Sequence, residues 1–343
     1  MNRKNFLQSA AVLAAATGFP ATGKAFNTGD NRKPVRIPPY LKKGDLIGIS
    51  SPAGYLKVED IQSAVAGLKE WGYETRVGDT IGRRDYSFGG TDEERLADFQ
   101  RMLDDPSVKA ILCARGGYGA VRIIDRLDWK AFRKHPKWII GFSDITVFHS
   151  HLNRVIDVAS IHSKMCSGFP EDWSKAEQIQ VDAILSLKKA IEGEQMKYEF
   201  AAAEGNKSGV AEGILIGGNL RTLETLTGSA SDIHTEGKIL FVEDVGEYLY
   251  SIDRMFWNLD RSGKLAKLKG LVVGGFRIKP PSDPEEEFGR TIQQIVLEKT
   301  AKYKFPVCFD FPVGHQKNNF AVKCGVRHRL EVKDGLCSLT EIR

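Results

Sequence analysis

Short apolar runs alternate with longer amphipathic segments through the first half of the chain, and this order constrains the fold more than any other feature. The apolar runs at 46–50, 110–113 and 138–142 have the length of buried strands. The segment 58–71 carries apolar side chains at helical spacing. Repeated strand, loop and helix predict an α/β domain on an open parallel sheet, which we assign to residues 36–185.

One helix of this domain has a clear start signal. Thr91-Asp92-Glu93-Glu94 is a capping box, in which Thr91 caps the first helical amides and Glu94 reaches back to the Thr91 amide. The pattern predicts a helix that runs from this box toward Leu103.

A second region, residues 209–343, is rich in glycine and short β-like runs. The polar segment 170–208 separates it from the first region, and we place the domain boundary there. The predicted strands lie at 213–216, 238–243, 270–276 and 329–332. One clear helix is predicted around Ser251 to Leu259, so the second domain is expected to be smaller and mostly β.

Residues 1–25 have the layout of an export signal, with a basic start, an alanine-rich apolar stretch and small residues ending near Ala25. The apolar stretch is too short to span a bilayer. Arg3-Lys4-Asn5-Phe6-Leu7 resembles a twin-arginine signal with lysine as the second basic residue. A disordered or amphipathic tail is the alternative. The signal predicts an exported, periplasmic protein, whereas a tail would leave the protein in the cytoplasm.

Composition argues against several classes of function. The 343 residues include 49 Lys and Arg against 44 Asp and Glu, a net charge of +5. Three basic residues lie in the predicted signal, so the remainder is nearly neutral and no nucleic-acid partner is expected. Five widely spaced cysteines without a C-x-x-C pair imply neither a disulfide framework nor a metal or redox motif. We expect no metal, no cofactor and no stable membrane insertion, and the oligomeric state, a homodimer included, stays open.

Two loops that follow apolar runs carry the residue types of a nucleophilic site. In Gly141-Phe142-Ser143-Asp144, the serine lies on a strand-to-helix turn, where the following amides can stabilise an oxyanion. The full G-x-S-x-G pattern is absent, and serine is also common as a helix N-cap. Arg115-Gly116-Gly117-Tyr118-Gly119 can be a plain turn or an anion cradle, but it lacks nucleotide-binding spacing. Both loops fall at carboxyl ends of strands, where Rossmann or flavodoxin-like sheets bind ligands.

Further blocks follow these two loops in a specific order. They are Gly217-Gly218-Asn219-Leu220, Glu243-Asp244-Val245-Gly246-Glu247, Ile252-Asp253-Arg254-Met255 and Gly314-His315. Together with the two loops, they resemble the LD-carboxypeptidase family of serine peptidases, which includes the microcin C immunity peptidases. The resemblance runs from about residue 40 to the C-terminus.

The resemblance implies a catalytic triad of Ser143, Glu243 and His315. His315 would remove the serine proton and later protonate the leaving amine, while Glu243 would hold the imidazole in the required tautomer. Because the serine lies in the first region and the other two in the second, the site is expected in the cleft between them. The backbone amides of Asp144 and Gly117 are the expected oxyanion hole.

The sequence says less about which residues contact the substrate than about which residues are catalytic. Arg115 and Tyr118 are candidate substrate-binding residues, and a structural salt bridge is the alternative for Arg115. His162 stands where family members commonly have histidine before Gly-Pro-Met, but Ser163-Lys164-Met165 follows it here.

The reaction implied by the resemblance is hydrolysis of the amide between an L-centre and a C-terminal D-amino acid, as in trimming D-alanine from a murein tetrapeptide during wall turnover or recycling. A peptidase of the microcin immunity type shares the triad and is the first alternative. An exported solute-binding protein is the second, but it leaves the coincidence of serine, glutamate and histidine unexplained.

Overall fold

Six strands form the first of two sheets in the computed structural model, which describes residues 35–342. Their spatial order is β11-β5-β4-β3-β1-β2. The strands are β1 (Leu46–Ser50), β2 (Glu74–Val77), β3 (Val108–Cys113), β4 (Trp138–Gly141), β5 (Ser160–His162) and β11 (Val322–Cys324). All neighbours are parallel except β11, which runs antiparallel to β5. The predicted open parallel sheet is confirmed, and it gains an edge strand from near the C-terminus.

Helices and tight turns connect these strands. They are α1 (Gln62–Glu70), α2 (Asp92–Asp104), α3 (Ala120–Ile123), α4 (Lys130–Lys134), α5 (Thr146–His151) and α6 (Gln178–Glu192), with a π-helical turn at Leu152–Ile156 and 3-10 turns at Glu59–Ile61, Ile124–Arg126, Ser143–Ile145 and Cys166–Gly168. The predicted capping box opens α2, with Thr91 Oγ1 accepting from the Glu94 amide at 3.2 Å. Apolar side chains pack on both faces of the sheet, which explains why its central strands read as continuous apolar runs.

The second sheet has seven strands in the order β10-β9-β8-β7-β12-β13-β6. They are β6 (Lys197–Ala201), β7 (Gly209–Asn219), β8 (Ile239–Val245), β9 (Gly270–Arg277), β10 (Val307–Cys308), β12 (Arg327–Val332) and β13 (Leu336–Glu341). Strands β7 to β10 are parallel, whereas β7, β12, β13 and β6 pair antiparallel. Each predicted strand of this region is present.

The helix predicted at 251–259 lies within α8 (Leu249–Arg261). Two further helices pack beside it, α7 (Leu220–Thr225) and α9 (Ile292–Thr300), and a 3-10 turn covers Pro284–Glu286. The predicted helix is confirmed, and α7 and α9 are additional helices that were not predicted. A helix of six residues such as α7 is too short to show periodicity, but α9 has a signal in the sequence, because Thr291 and Gln294 form a capping box.

Within residues 35–342, no helix is both long and apolar enough to cross a bilayer. The five cysteines are buried as free thiols. The predicted export signal at 1–25 lies outside the described residues.

Buried neutral histidines should make the protein acid-labile. Burial lowers the pKa of His149, His151 and His328 to about 4, so their contribution to stability is present above pH 6.5 and is lost as pH falls toward 4. At pH 5 this costs about 2 kcal/mol per histidine. Burial raises the pKa of Asp144 and Asp244 to about 6, which acts with the opposite sign. We expect thermal denaturation to give a Tm roughly 5 °C lower at pH 5 than at pH 7.5.

A His328→Gln variant isolates this effect, because His328 is buried and its Nδ1 contacts the Val326 carbonyl at 3.0 Å. The variant should lose less Tm than the wild type between the two pH values. An equal loss in both proteins would contradict the assignment.

Candidate active site

The turn that carries Ser143 has an unusual backbone conformation. Strand β4 ends at Gly141, Phe142 is extended, and Ser143 then adopts φ 64° before the chain enters its 3-10 turn and α5. A left-handed conformation is costly for a residue with a Cβ and is concentrated at functional sites. The same backbone conformation exposes the serine of a nucleophile elbow at the end of a strand. The turn therefore has the geometry of a nucleophile elbow although its sequence lacks the full motif.

Ser143, His315 and Glu243 form a continuous hydrogen-bonded path. The Ser143 Oγ lies 3.2 Å from His315 Nε2, and His315 Nδ1 lies 2.6 Å from Glu243 Oε2. Glu243 is fully buried, whereas 17% of the His315 side chain is exposed. With Glu243 ionised, Nδ1–H donates to the carboxylate and leaves Nε2 free to accept the serine proton. This arrangement can activate a serine hydroxyl for attack on a carbonyl carbon.

Strand ends and a close backbone approach fix the histidine and the glutamate. Glu243 lies near the end of β8, where the register against β9 shifts. His315 follows Gly314, whose amide donates to Asn319 Oδ1 at 2.8 Å. Gly314 has φ +103°, and a Cβ there would lie 2.5 Å from the Glu243 Cβ. The Gly-His pair is therefore needed to bring the imidazole onto the carboxylate.

A cavity of about 350 Å³ opens beside Ser143. The residues that line it come from loops, strand ends and helices beside both sheets: Gly117, Tyr118, Val121, Ser143, Asp144, Val147, Asn219, Arg221, Thr222, Thr225, Leu226, Asp244, Val245 and Glu247. Among the described residues, no group of three or more His, Cys, Asp or Glu side chains could hold a metal ion. The cavity offers polar and charged groups next to a nucleophile.

The two residues predicted to form an oxyanion hole, Gly117 and Asp144, both line this cavity. Neither backbone amide donates a hydrogen bond to another of residues 35–342. Gly116, which precedes Gly117, packs so closely on the turn that a Cβ would lie 2.9 Å from the Ser143 Cβ. The glycine loop therefore lies directly against the serine.

The other residues singled out in the sequence do not lie together at this cavity. Tyr118 is a half-exposed cavity residue with its ring 5.8 Å from that of Phe88. Arg115 does not line the cavity, and its guanidinium donates to the Tyr55 carbonyl. His162 is fully buried behind the turn and outside the cavity lining.

Several cavity residues were not predicted as site residues. Asn219 ends strand β7, Arg221 and Thr222 follow it, and Asp244 and Glu247 follow Glu243. The blocks Gly217-Gly218-Asn219 and Glu243-Asp244 marked both strand ends in the sequence. What the sequence could not provide was the pairing of β7 with β8, which places these two ends side by side.

The chain is similar to known proteins over most of its length. Residues 47–163 match the LD-carboxypeptidase N-terminal domain, and residues 212–330 match the LD-carboxypeptidase C-terminal domain. The probable murein peptide carboxypeptidase of Bacillus subtilis is 33% identical over 84% of this chain and 90% of its own length. The murein tetrapeptide carboxypeptidase of Pseudomonas aeruginosa is 29% identical over 83% and 92%, respectively. The microcin C7 self-immunity protein of Escherichia coli is 25% identical over 88% and 94%.

Among solved structures, the muramoyltetrapeptide carboxypeptidase of Oxalobacter formigenes superimposes with a TM-score of 0.76 and 29% identity, covering 87% of this chain and 99% of that one. Both domain matches fall in the expected order, and the murein relatives are covered almost completely. The chain belongs to the LD-carboxypeptidase family of peptidases.

Proposed function

We propose that the protein is a serine-type murein tetrapeptide carboxypeptidase. It would hydrolyse the amide that joins the L-centre of the third residue to the terminal D-alanine. The observation that carries the proposal is the hydrogen-bonded path from Glu243 through His315 to Ser143 in a chain of this family. The murein relatives named above support the substrate class.

The first half of the reaction forms an acyl-enzyme. Ser143 Oγ attacks the carbonyl carbon while His315 Nε2 takes its proton, and the buried Glu243 carboxylate stabilises the imidazolium. The developing oxyanion would accept hydrogen bonds from the Gly117 and Asp144 amides. His315 then gives the proton to the nitrogen of D-alanine, the C–N bond breaks, and D-alanine leaves.

The second half of the reaction restores the serine. Water gives a proton to His315 and attacks the acyl carbon, the tetrahedral intermediate collapses, and Ser143 recovers its proton. Among the cavity residues, Arg221 supplies a positive side chain that can pair with the terminal carboxylate.

Mass spectrometry of purified muropeptides after incubation with the protein tests the substrate. Tetrapeptides should lose one D-alanine, and tripeptides should accumulate. Unchanged tetrapeptides would overturn the proposal. An aminoacyl sulfamoyl adenylate tested in parallel separates the alternative suggested by the microcin relative, because hydrolysis of that compound alone would favour an immunity peptidase.

Gly116→Ala should impair catalysis by displacing the serine. The new Cβ would lie 2.9 Å from the Ser143 Cβ and 3.1 Å from its Oγ, so one of the two loops must shift. Misplacement by about 1 Å costs roughly 100-fold in rate. We expect kcat for D-alanine release to fall about 10-fold to 100-fold, measured by steady-state kinetics on tetrapeptide.

Gly335→Ala is the matched control for this glycine substitution. Gly335 has φ +83°, so alanine is strained there, but its Cβ would meet nothing within 4 Å. The control should lose stability and keep its kcat. Equal kcat values for the two variants would refute the role of the Gly116 contact.

We also propose that residues 1–25 direct export to the periplasm, where the enzyme would meet tetrapeptides on murein or on released fragments. Support comes from the basic, apolar and small-residue pattern of this segment. Cell fractionation with N-terminal sequencing of the mature protein tests it. A full-length chain in the cytoplasm would exclude export.

A further inference from the structure

Each of two residues in the proposed triad is followed by a buried aspartate. Asp144 comes directly after Ser143, and Asp244 comes directly after Glu243. Their side chains are 7% and 2% exposed, and both residues line the cavity beside the serine. Burial of a carboxylate is costly unless its oxygens are well hydrogen-bonded, so the partners of each residue indicate its role.

Asp144 connects the serine turn to the glycine loop. Its Oδ2 accepts from the Ala120 amide at 2.8 Å, and the Gly119 amide also faces the carboxylate. These amides close the 116–119 loop, which contains the Gly117 amide and packs on Ser143. One carboxylate therefore links the two backbone segments that supply the proposed oxyanion hole.

Asp244 makes the corresponding connection on the other side of the cavity. Its Oδ1 accepts from Asn219 Nδ2 at 3.0 Å and from its neighbouring Val245 amide at 2.7 Å, and its Oδ2 accepts from the Arg221 amide at 2.8 Å. The Asn219 amide in turn donates to Thr146 Oγ1 at 2.9 Å, in the helix that follows the serine. Asp244 therefore fixes the end of β7 against the strand that carries Glu243.

The donors to both carboxylates are neutral. Backbone amides and one side-chain amide supply them, and within residues 35–342 no ion pair joins either aspartate to a basic side chain. Burial accordingly raises the pKa of each carboxyl to about 6. Both oxygens of Asp244 accept hydrogen bonds, and because the side-chain nitrogen of an asparagine cannot accept, Asp244→Asn would lose at least one of them. The hydrogen bond from the Ala120 amide to Asp144 Oδ2 is charge-assisted when the carboxylate is ionised, so loss of the charge weakens it.

We propose that Asp144 and Asp244 are paired positioning residues, which in their ionised form hold the glycine loop and the β7 end in the arrangement that catalysis requires. The inference rests on the proposed function. Neither aspartate would touch the reacting atoms through its side chain. Loss of either charge should lower kcat through misplacement and leave KM nearly unchanged.

The charged and titratable groups around each aspartate affect how kcat depends on pH. Arg95 and the Cys113 thiol face Asp144, and Glu243 faces Asp244. Arg221 and Glu247 share the cavity, and His315 contacts Ser143 on its other side. A fall of wild-type kcat in acid would therefore not by itself identify the aspartates, so substitutions are needed to isolate their effect.

Asp144→Asn and Asp244→Asn are the test variants, and Asp98→Asn is the matched control. Asp98 is equally buried and accepts from Ser50 Oγ, Thr80 Oγ1 and the Asp79 amide, but it also pairs with Arg101 at 3.0 Å and does not line the cavity. Per folded molecule, the two test variants should lose about tenfold to a hundredfold in kcat for D-alanine release, with KM within about threefold. The control should lose Tm and keep its kcat. Wild-type kcat in both test variants, or an equal kcat loss in the control, would overturn the proposal.

Hydrogen exchange separates this inference from the proposed function. If wild-type protein releases no D-alanine, the proposed function fails, but the positioning role is still measurable by mass spectrometry of amide exchange. Asp144→Asn should speed exchange in 116–121, and Asp244→Asn in 219–222. In wild-type protein, both segments should lose protection between pH 7.5 and 5 relative to 46–50, after correction for intrinsic rates. Unchanged protection in these comparisons would overturn the inference. The comparison between the two pH values uses wild-type protein, so it stays valid even if a variant fails to fold.

Discussion

Ser143→Ala should abolish the release of D-alanine from murein tetrapeptide, with kcat reduced at least roughly 10⁴-fold. The substitution removes the Oγ that lies 3.2 Å from His315 Nε2, so no acyl-enzyme can form. Loss of a catalytic serine in other proteases costs roughly 10⁴ to 10⁶ in kcat, with the remainder supplied by binding and the oxyanion hole. Alanine must adopt the same left-handed backbone conformation as serine, so Tm should change by less than about 2 °C.

Ser150→Ala is the matched control for this experiment. Ser150 is a buried serine in the helix that follows the turn, and its Oγ has no hydrogen-bond partner among the described residues. Its loss should leave both kcat and Tm close to wild type. Turnover by Ser143→Ala within tenfold of wild type would remove the basis for a serine mechanism.

Glu243→Gln should lower kcat by about 10³-fold to 10⁴-fold, as substitution of the corresponding carboxylate does in other triads. Gln can still accept from His315 Nδ1 if its oxygen occupies the Oε2 position. It has no charge, however, and cannot stabilise the imidazolium that forms as the serine attacks. Steady-state kinetics on tetrapeptide between pH 6 and 9 measures the effect, and thermal denaturation checks the fold.

Glu331→Gln on β12 controls for removing a carboxylate far from the cavity, because Glu331 pairs with Lys333 and does not line the site. Its kcat should match the wild type. If Glu243→Gln retained wild-type kcat across this pH range, Glu243 would not be the residue that orients His315.

The sequence predicted local structure better than contacts. Periodicity located β1, β3 and β4 of the first sheet and β7, β8, β9 and β12 of the second, because central parallel strands are buried on both faces. The Thr91 capping box marked one helix start. The strands β5, β6, β10, β11 and β13 were not predicted. The strands at the two ends of the second sheet were harder to predict from the sequence, because strand order depends on pairing between distant residues. The capping box at Thr291 shows that α9 was predictable from a signal already present in the chain.

The candidate site depended on family resemblance for a physical reason. Ser143 and His315 are 172 residues apart, and Glu243 and His315 are 72 apart, so spacing alone cannot bring them together. The left-handed φ of Ser143 and the approach of Gly314 to Glu243 are consequences of tertiary packing. The hydrogen bonds of Asp144 and Asp244 likewise appear only when separate loops meet. Such non-local contacts could not be predicted from the sequence.

The pairing of β11 with β5 has a consequence for biosynthesis. When the ribosome has made the first 200 residues, five strands of the parallel sheet are available, but β5 exposes an unpaired backbone edge. Exposed edges template aggregation, and β11 reaches this edge only after residue 324 has been made. The nascent chain is therefore vulnerable from the completion of β5 at His162 until β11 ends at Cys324, and truncation before β11 should yield aggregates rather than a soluble half-enzyme.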